Sequence, residues 1–473
     1  MNNTSIISKY WGLIIAVAII PFLLNAIIQI LPTFDDWTST TTPDFNPFFI
    51  KERFLFYGYH WRPFDAILGY IVGLNPQQLF PTFNHCCIVT GHLLCTILIF
   101  SLLTELGFGT LAKNISALYF FISPATMATV SAVDSLNQTF ALVAGIAAFL
   151  IYIKGKYAIW AIMIFIAALF KENGLMWALI CPILAYGFDK IELKTLKRDI
   201  VFGLMIMALY ALAIFLLPKD IIIHPEYVPE VIKVIKNIVK FFFTTFITID
   251  YIYLLHQPSR QLIVAFATFI LTLPFIYYIF IRNIKDFINK KILCTTISLL
   301  IAVAPHLLTV FSMMHTYAGM ALLAVIIAYS IDCSKSQYKQ IVYSFILFCC
   351  SALMINTHLI KASIKSGLIG KKMAVEAISK TIDPVKSVYV IIIEDDYPKL
   401  SSFCVIPNEA FGWGLASQYE TNYVWPEIVN DTIIERSLNA TKEATDIGHD
   451  ILNNNLYDCV WLVDRDHIDV IKK

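Results

Sequence analysis

Two adjacent carboxylates, Asp35 and Asp36, sit in the stretch "LPTFDDWTSTTTPDF" (31–45), directly after an apolar run that begins at Trp11. Acids at the end of an apolar segment can simply mark its aqueous end. Here they are followed by about 45 residues rich in Phe and Tyr, including Phe45, Phe48, Phe49, Phe54, Phe56, Tyr57, Tyr59, Trp61 and Phe64. Aromatic rings of that density prefer a membrane–water interface to open water. A carboxylate roofed by such a layer loses solvation, becomes more basic and is suited to taking a proton from a hydroxyl. Cationic groups stand nearby in the chain. Arg62 lies in "YHWRPF" (59–64), where Pro63 restricts the backbone of the residue before it and the planar guanidinium fork matches a phosphate. The same arginine would equally suit lipid headgroups. His60 stands two residues before it.

A second charged island is "FKENG" (170–174), in which Lys171 and Glu172 are enclosed by apolar runs on both sides. Ionisable groups between apolar segments are costly and line cavities more often than chance allows. The plain alternative is a turn with a self-neutralising ion pair. A third group is basic: in "PEVIKVIKNIVKFFF" (229–243), Lys233, Lys236 and Lys240 share one helical face while Val231, Ile235, Ile238 and Phe242 lie elsewhere. This is an amphipathic interfacial helix able to meet anionic headgroups. Finally "PHLLTVFSMMHTYAG" (305–319) brings His306, His315 and Tyr317 to the ends of two apolar runs.

The elements that must carry these groups follow from composition. The 473 residues are 58% hydrophobic and 15% charged, with a net charge of +1 and a mean hydropathy of +0.70. So apolar a chain fits a polytopic membrane protein rather than a soluble globule, and it offers no basic field for nucleic acid. Apolar runs at 11–31, 82–103, 111–130, 136–153, 157–170, 175–187, 200–217, 261–281, 292–311, 316–331 and 341–357 predict about eleven transmembrane helices. The runs at 157–170 and 175–187 are short and fit a re-entrant hairpin as well as two crossings. Residues 11–31 read as an uncleaved signal anchor. With the N-terminus cytoplasmic, the loops "KGK" (154–156), "DKIELKTLKRD" (189–199), "RNIKDFINKK" (282–291) and "SKSQYK" (334–339) all fall inside, and all are basic. Asp35, Asp36, Arg62 and Lys171 then face outside together.

After residue 357 the chain turns polar. The β-like runs "SVYVIII" (387–393) and "DCVWLVD" (458–464) predict a small external α/β domain over 358–473, beside a membrane domain over 1–357. Of ten cysteines, eight lie in or beside apolar runs and none shows metal-ligand spacing; Cys404 and Cys459, in the tail, predict a disulfide.

The order of these motifs resembles the GT-C superfamily of membrane glycosyltransferases. The acid pair after the first apolar run, the "RP" ahead of "GLNP", the segment "SPATMATVSAVDSLNQTFALVAGIAAFLIYI" (123–153) and "ALFKENG" (168–174) are similar to those of protein O-mannosyltransferases, including their TPR-bearing members. In layout the chain also looks like bacterial O-antigen glucosyltransferases. The resemblance covers residues 30–190 and, more faintly, 300–330. It implies a GT-C-like, all-α membrane domain and an inverting transfer of a hexose such as glucose from undecaprenyl phosphate. Asp35 or Asp36 would act as base. Arg62, Lys171 and Glu172, with His60, His315, Tyr317, Lys233, Lys236 and Lys240, would serve the donor phosphate. The acceptor implied is a periplasmic glycan such as O-antigen, or else a protein. No cofactor is required, with a divalent cation (Mg or Mn) left open, and the implied location is a bacterial inner membrane with a periplasmic tail. Two departures weigh against a protein acceptor: the family's acid–arginine pair before a tyrosine reads "HTY" (315–317), and the TPR array is absent. A flippase or transporter of lipid-linked sugar is the rival from another class.

Overall fold

A computed structural model describes residues 4–31, 62–64, 67, 82–132, 135–216, 231–246, 259–282, 284–308, 311, 313–380, 387–394, 427–435, 437–454, 457–464 and 467–472. The helices are α1 (Thr4–Ile27), α2 (Thr82–Glu105), α3 (Thr110–Ile122), α4 (Pro124–Ser131), α5 (Leu136–Tyr152), α6 (Tyr157–Phe170), α7 (Trp177–Gly187), α8 (Leu193–Leu216), α9 (Val231–Phe246), α10 (Ser259–Ile276), α11 (Lys290–Leu308), α12 (Tyr317–Cys333) and α13 (Tyr338–Lys380). A small unit with strands β1 (Ser387–Glu394), β2 (Glu427–Glu435), β3 (Cys459–Asp464) and β4 (His467–Lys472) and helix α14 (Ala440–Asn453) completes the chain. The fold is thus mostly helical with a C-terminal sheet.

Among the described residues, six helical segments are long and apolar enough to cross a membrane: Ile6–Ile27, Thr82–Glu105, Leu193–Leu216, Lys290–Leu308, Met313–Cys333 and Lys335–Lys361. The expected count of about eleven is not confirmed, and the shortfall has local causes. The run at 111–130 is interrupted at Ser123, where an extended residue precedes a proline at the first position of α4. The runs at 157–170 and 175–187 form α6 and α7, of 14 and 11 residues. At 1.5 Å per residue these reach about 21 and 17 Å, short of a roughly 30 Å hydrocarbon core. Part of their apolar surface is spent inside the bundle, where Trp160, Ile164, Trp177 and Leu184 are buried, while Ile159 and Ile162 of α6 stay about half exposed. By contrast α8 exposes Leu204, Met205, Leu209, Leu212, Phe215 and Leu216, a face that calls for apolar surroundings. At the centre is α12, buried along 78% of its apolar window.

Breaking a helix inside an apolar bundle frees carbonyls that must find donors. At the α3–α4 break, three side chains supply them. Thr126 Oγ1 donates to Phe120 O (3.1 Å), His92 Nε2 bonds Phe121 O (2.9 Å), and Asn356 Nδ2 donates to Ile122 O (2.8 Å). Since the Phe121 carbonyl can only accept, His92 carries its proton on Nε2 and its Nδ1 accepts from the Tyr317 hydroxyl (2.8 Å). The start of α1 repeats the device. Tyr10 leaves helical geometry (φ −126°, ψ 20°), and Asn114 of α3 bonds both sides of the defect, accepting from Gly12 N (2.7 Å) and donating to Lys9 O (3.0 Å). Gly12 permits this approach, because a Cβ there would lie 2.6 Å from the Asn114 carbonyl oxygen.

In the tail, the sheet order is β2-β1-β3-β4, with β1 parallel to β2 and β3, and β4 antiparallel to β3. Ala440, Ala444, Gly448 and Leu452 recur every fourth residue along α14 and are buried beside Ile391, Val460 and Leu462. The sheet is fastened to the far end of α13. Lys380 Nζ donates to Glu376 (2.9 Å), Asp469 (3.3 Å) and the Ile468 carbonyl, and His467 Nδ1 meets Glu376 at 2.6 Å. Cys459 opens β3 as a buried free thiol; Cys404, its expected partner, lies outside the described residues.

Two expected outcomes test these arrangements. His92→Leu orphans the Phe121 carbonyl, at about 1–3 kcal/mol, and removes the His92 acceptor of the Tyr317 hydroxyl, and should lower the thermal midpoint of the purified protein in detergent. Burial pushes the Cys459 thiol up to about 11. The folded sheet therefore keeps this group's full contribution below the ordinary thiol value and loses it as pH rises through about 11. Peptide mapping should find Cys459 alkylated at least about 10-fold more slowly in the native protein at pH 8.5 than in urea.

Candidate functional site

The island at 170–174 is shaped by backbone before it is shaped by charge. Helix α6 stops because Lys171 is extended (φ −156°, ψ 138°), with its N–H still bonded to Ala167 O at 3.1 Å. The chain then turns through a short 3₁₀ segment (Glu172–Met176) closed by Gly174 N donating to Lys171 O at 2.8 Å. Gly174 lies so close to α6 that a Cβ would sit 2.5 Å from the Ala167 backbone. This tight reversal leaves the Lys171 residue 8% exposed and presents Glu172 at its edge.

Arg62 grips that edge. Its Nε lies 3.0 and 3.1 Å from the two Glu172 carboxylate oxygens, and its Nη2 donates to Oε2 at 2.8 Å. The two side chains are 16% and 32% exposed, so the pair is only partly screened by solvent. The guanidinium fork expected to face a phosphate is thus turned on Glu172 through Nε and Nη2. Lys171 precedes Glu172 in the chain, so the charged groups described at this edge are two cations and one anion. Aromatic packing joins it to the bundle: Phe64 lies against Phe170 (ring centroids 5.0 Å), and Phe170 stacks on Phe140 of α5 (5.6 Å).

Two further elements close on this site. His306, in the last turn of α11, is within electrostatic reach of Lys171, Glu172 and Arg62. Its ring lies flat on His315 (centroids 3.8 Å apart, planes 4° apart), which brings the loop end of α12 to the same place. Tyr210 of α8 donates to Ala168 O (3.2 Å) and also feels Glu172 and Arg62. Asn237 of α9 donates to the His306 and Leu307 carbonyls at 3.3 and 3.1 Å, tying α9 across the end of α11.

Of the residues expected from sequence, Arg62, Lys171, Glu172 and His315 therefore gather in one region. Tyr317 does not; it is buried inside the bundle on His92. The lysine face of α9 runs with Asn237: Lys233 and Lys240 are half-buried on that side and Lys236 is exposed. The opposite, apolar face is the outward one, with Ile232, Ile235, Ile238 and Val239 about half exposed. Asp35, Asp36 and His60, together with the aromatic segment around them, lie outside the described residues. Tyr210 and Asn237 were not singled out by sequence, since one tyrosine or asparagine in an apolar helix carries no spacing signal. Among the described residues no group of three His, Cys, Asp or Glu side chains is placed to hold a metal.

Comparison with protein-family models, with curated proteins and with solved structures gave no match in any of the three.

Gly174→Ala should drive a methyl group into the α6 backbone. We expect a loss of about 1–3 kcal/mol, read as a lower thermal midpoint in detergent, because backbone rather than a flexible side chain stands in the way.

Proposed function

We propose that the chain is a multi-pass, GT-C-type glycosyltransferase of a bacterial inner membrane, using a polyprenyl-phosphate-linked hexose as donor and a periplasmic glycan, such as O-antigen, as acceptor. The observation that carries this reading is the gathering of Arg62, Lys171 and Glu172, with His306 and His315 beside them, at the end of an apolar helix bundle. A polyprenyl-phosphate sugar is a phosphodiester with one negative charge, and Arg62 and Lys171 offer two cations against the single carboxylate of Glu172 among the described residues. An apolar bundle with that charge at its rim suits a ligand whose anion is anchored at the membrane surface by a long apolar tail. The Arg62–Glu172 pair holds the fork in a fixed orientation, so that Lys171 meets the phosphate as a point charge.

In the transfer, the carboxylate of Asp35 or Asp36 takes the proton of an acceptor hydroxyl. The hydroxyl oxygen forms a bond to the anomeric carbon, the bond from that carbon to the phosphate oxygen breaks, and polyprenyl phosphate leaves with the electron pair. Configuration inverts. The departing phosphate carries more charge than the diester, and this increase is what Lys171 and its neighbours stabilise. The tail unit stands on the periplasmic side in this reading, and about eleven crossings are made by long and short helices together.

One feature favours the rival, a flippase for the same lipid-linked sugar. The α3–α4 break is a discontinuous helix inside the bundle, and such helices line the paths of transporters. The two readings separate in one assay: transfer of labelled glucose from synthetic polyprenyl-phosphate glucose to O-antigen polysaccharide by purified protein in detergent. Asp35→Asn should cost about 10²–10⁴ in rate while donor binding persists, Asp36→Asn should cost less, and Lys171→Ala should weaken donor binding. Full transfer in both aspartate variants removes the base; no transfer by the wild type, with lipid scrambling in vesicles, establishes the flippase.

A further inference from the structure

Helices α6 and α8 run side by side in the same direction, as the order of their contacts requires. Arg198 Nη2 donates to the Tyr157 hydroxyl (3.0 Å), Trp160 packs on Phe202 (ring centroids 5.7 Å), and the Tyr210 hydroxyl donates to Ala168 O (3.2 Å). Lys171 follows the far end of α6, so that helix separates the charged site from the foot of the pair by about 21 Å. The foot is basic. Lys154 and Lys156, ahead of α6, and Lys194 and Lys197, in the first turns of α8, are all exposed. The acids near them are engaged elsewhere. Asp199 is buried, accepting from the Tyr152 hydroxyl (2.5 Å) and from Arg198 Nε (2.7 Å), and Asp189 pairs with Lys290 (2.7 Å). Glu192, which is exposed, stands one residue before α8.

Past its basic turns α8 becomes apolar on the same face. At about 100° per residue, Lys194, Lys197, Val201, Leu204, Met205 and Leu212 fall within about 100° of arc. The apolar members of that stripe are each about half exposed. From Val201 to Leu212 the stripe rises about 17 Å, close to half of a roughly 30 Å hydrocarbon core. A basic turn that runs straight into an apolar stripe one leaflet long has the dimensions of a single phospholipid. A nucleic acid or an acidic protein would meet the lysines and leave the stripe uncovered. We infer that the foot of α6 and α8 binds an anionic phospholipid of the surrounding bilayer. Its phosphate sits on Lys194 and Lys197, with Lys154 and Lys156 on the adjoining loop, and its acyl chains lie along the α8 stripe. The inference does not depend on the donor reading, because the donor phosphate was assigned to the opposite end of α6.

The test uses the full chain in neutral detergent and follows its thermal midpoint as dioleoyl phosphatidylglycerol, dioleoyl phosphatidylcholine, glycerol phosphate or undecaprenyl phosphate is added. Expected of the wild type is half-saturation by phosphatidylglycerol at a concentration at least about tenfold below that of phosphatidylcholine. In Lys194→Gln/Lys197→Gln the preference should shrink to within about twofold, whereas Lys194→Arg/Lys197→Arg, which keeps the charge, should retain it. Equal response of the wild type to the two phospholipids overturns the inference, and so does a preference that survives the glutamine substitutions. Loss of the preference in the arginine variant overturns it in favour of a packing role. A shift by glycerol phosphate as large as that by phosphatidylglycerol means that a soluble anion suffices, and overturns the lipid assignment. Undecaprenyl phosphate that acts at the same concentration as phosphatidylglycerol, and loses its effect in the same glutamine variant, overturns the choice of a bilayer phospholipid. Loss of the preference in Lys171→Ala places the lipid at the other end of α6 and overturns the site, while weakened undecaprenyl phosphate binding in that variant, with the preference intact, supports it.

Discussion

An apolar bundle has no water to spare for a backbone carbonyl, and this fold breaks its helices inside the bundle all the same. Each break is therefore a demand on a neighbour. Thr126, His92 and Asn356 answer it at the α3–α4 junction, and Asn114 answers it in α1. Those donors come from α2, α3, α4 and α13, so the repairs are also the cross-links that set how the helices sit. His92 illustrates the economy: one ring satisfies a carbonyl of α3, fixes its own tautomer and orients the Tyr317 hydroxyl at the start of α12. The loop end of α12 also carries His315, so the placement of the charged site is coupled to a hydrogen bond in the bundle interior.

The charged site obeys the same rule in a different form. An extended Lys171 and a crowded Gly174 reverse the chain within a few residues, and Arg62 then neutralises Glu172 with a bidentate grip. Because Arg62 takes the carboxylate, the cost of holding Glu172 at the edge of an apolar bundle is kept modest. The amphipathic helix α9 is arranged to match. Its polar side faces the end of α11 through Asn237, and its isoleucines face outward.

Much of this was legible in the sequence, and the parts that were not have specific causes. Long apolar windows such as those of α2 and α8 announce themselves by composition, and the strands at 387–394 and 459–464 by β-branched runs bounded by polar residues. The isolation of Lys171 and Glu172 between apolar runs marked them as a pair to watch. Hydropathy alone did not reveal the break within 111–130, because a Ser-Pro step changes mean hydropathy little while ending a helix outright. Nor could spacing reveal that the fork of Arg62 would turn to Glu172, 110 residues away, or that Tyr317 would point to His92. Such pairings are fixed by tertiary packing and leave no local period. That Lys233 and Lys240 of α9 would be half-buried on the side of Asn237 was hidden for the same reason: amphipathicity gives two faces and does not say which one is solvent.

Helix α13 is 43 residues long, and its apolar window ends at Lys361. The 19 residues from there to Lys380 rise about 28 Å, and the Lys380–Glu376–His467 clamp fixes the sheet at the far end of that rise. The helix therefore acts as a yardstick. The clamp at Lys380 thus lies about 28 Å along the helix from the end of its apolar window, the length of roughly eight extended peptide residues. What is fixed is the offset along the helix between the clamp that holds the sheet and the end of the apolar window. Shortening or lengthening α13 by a whole turn would change the offset by about 5.4 Å while keeping the sheet on the same side of the helix, to the extent that 3.6 residues approximates a whole number.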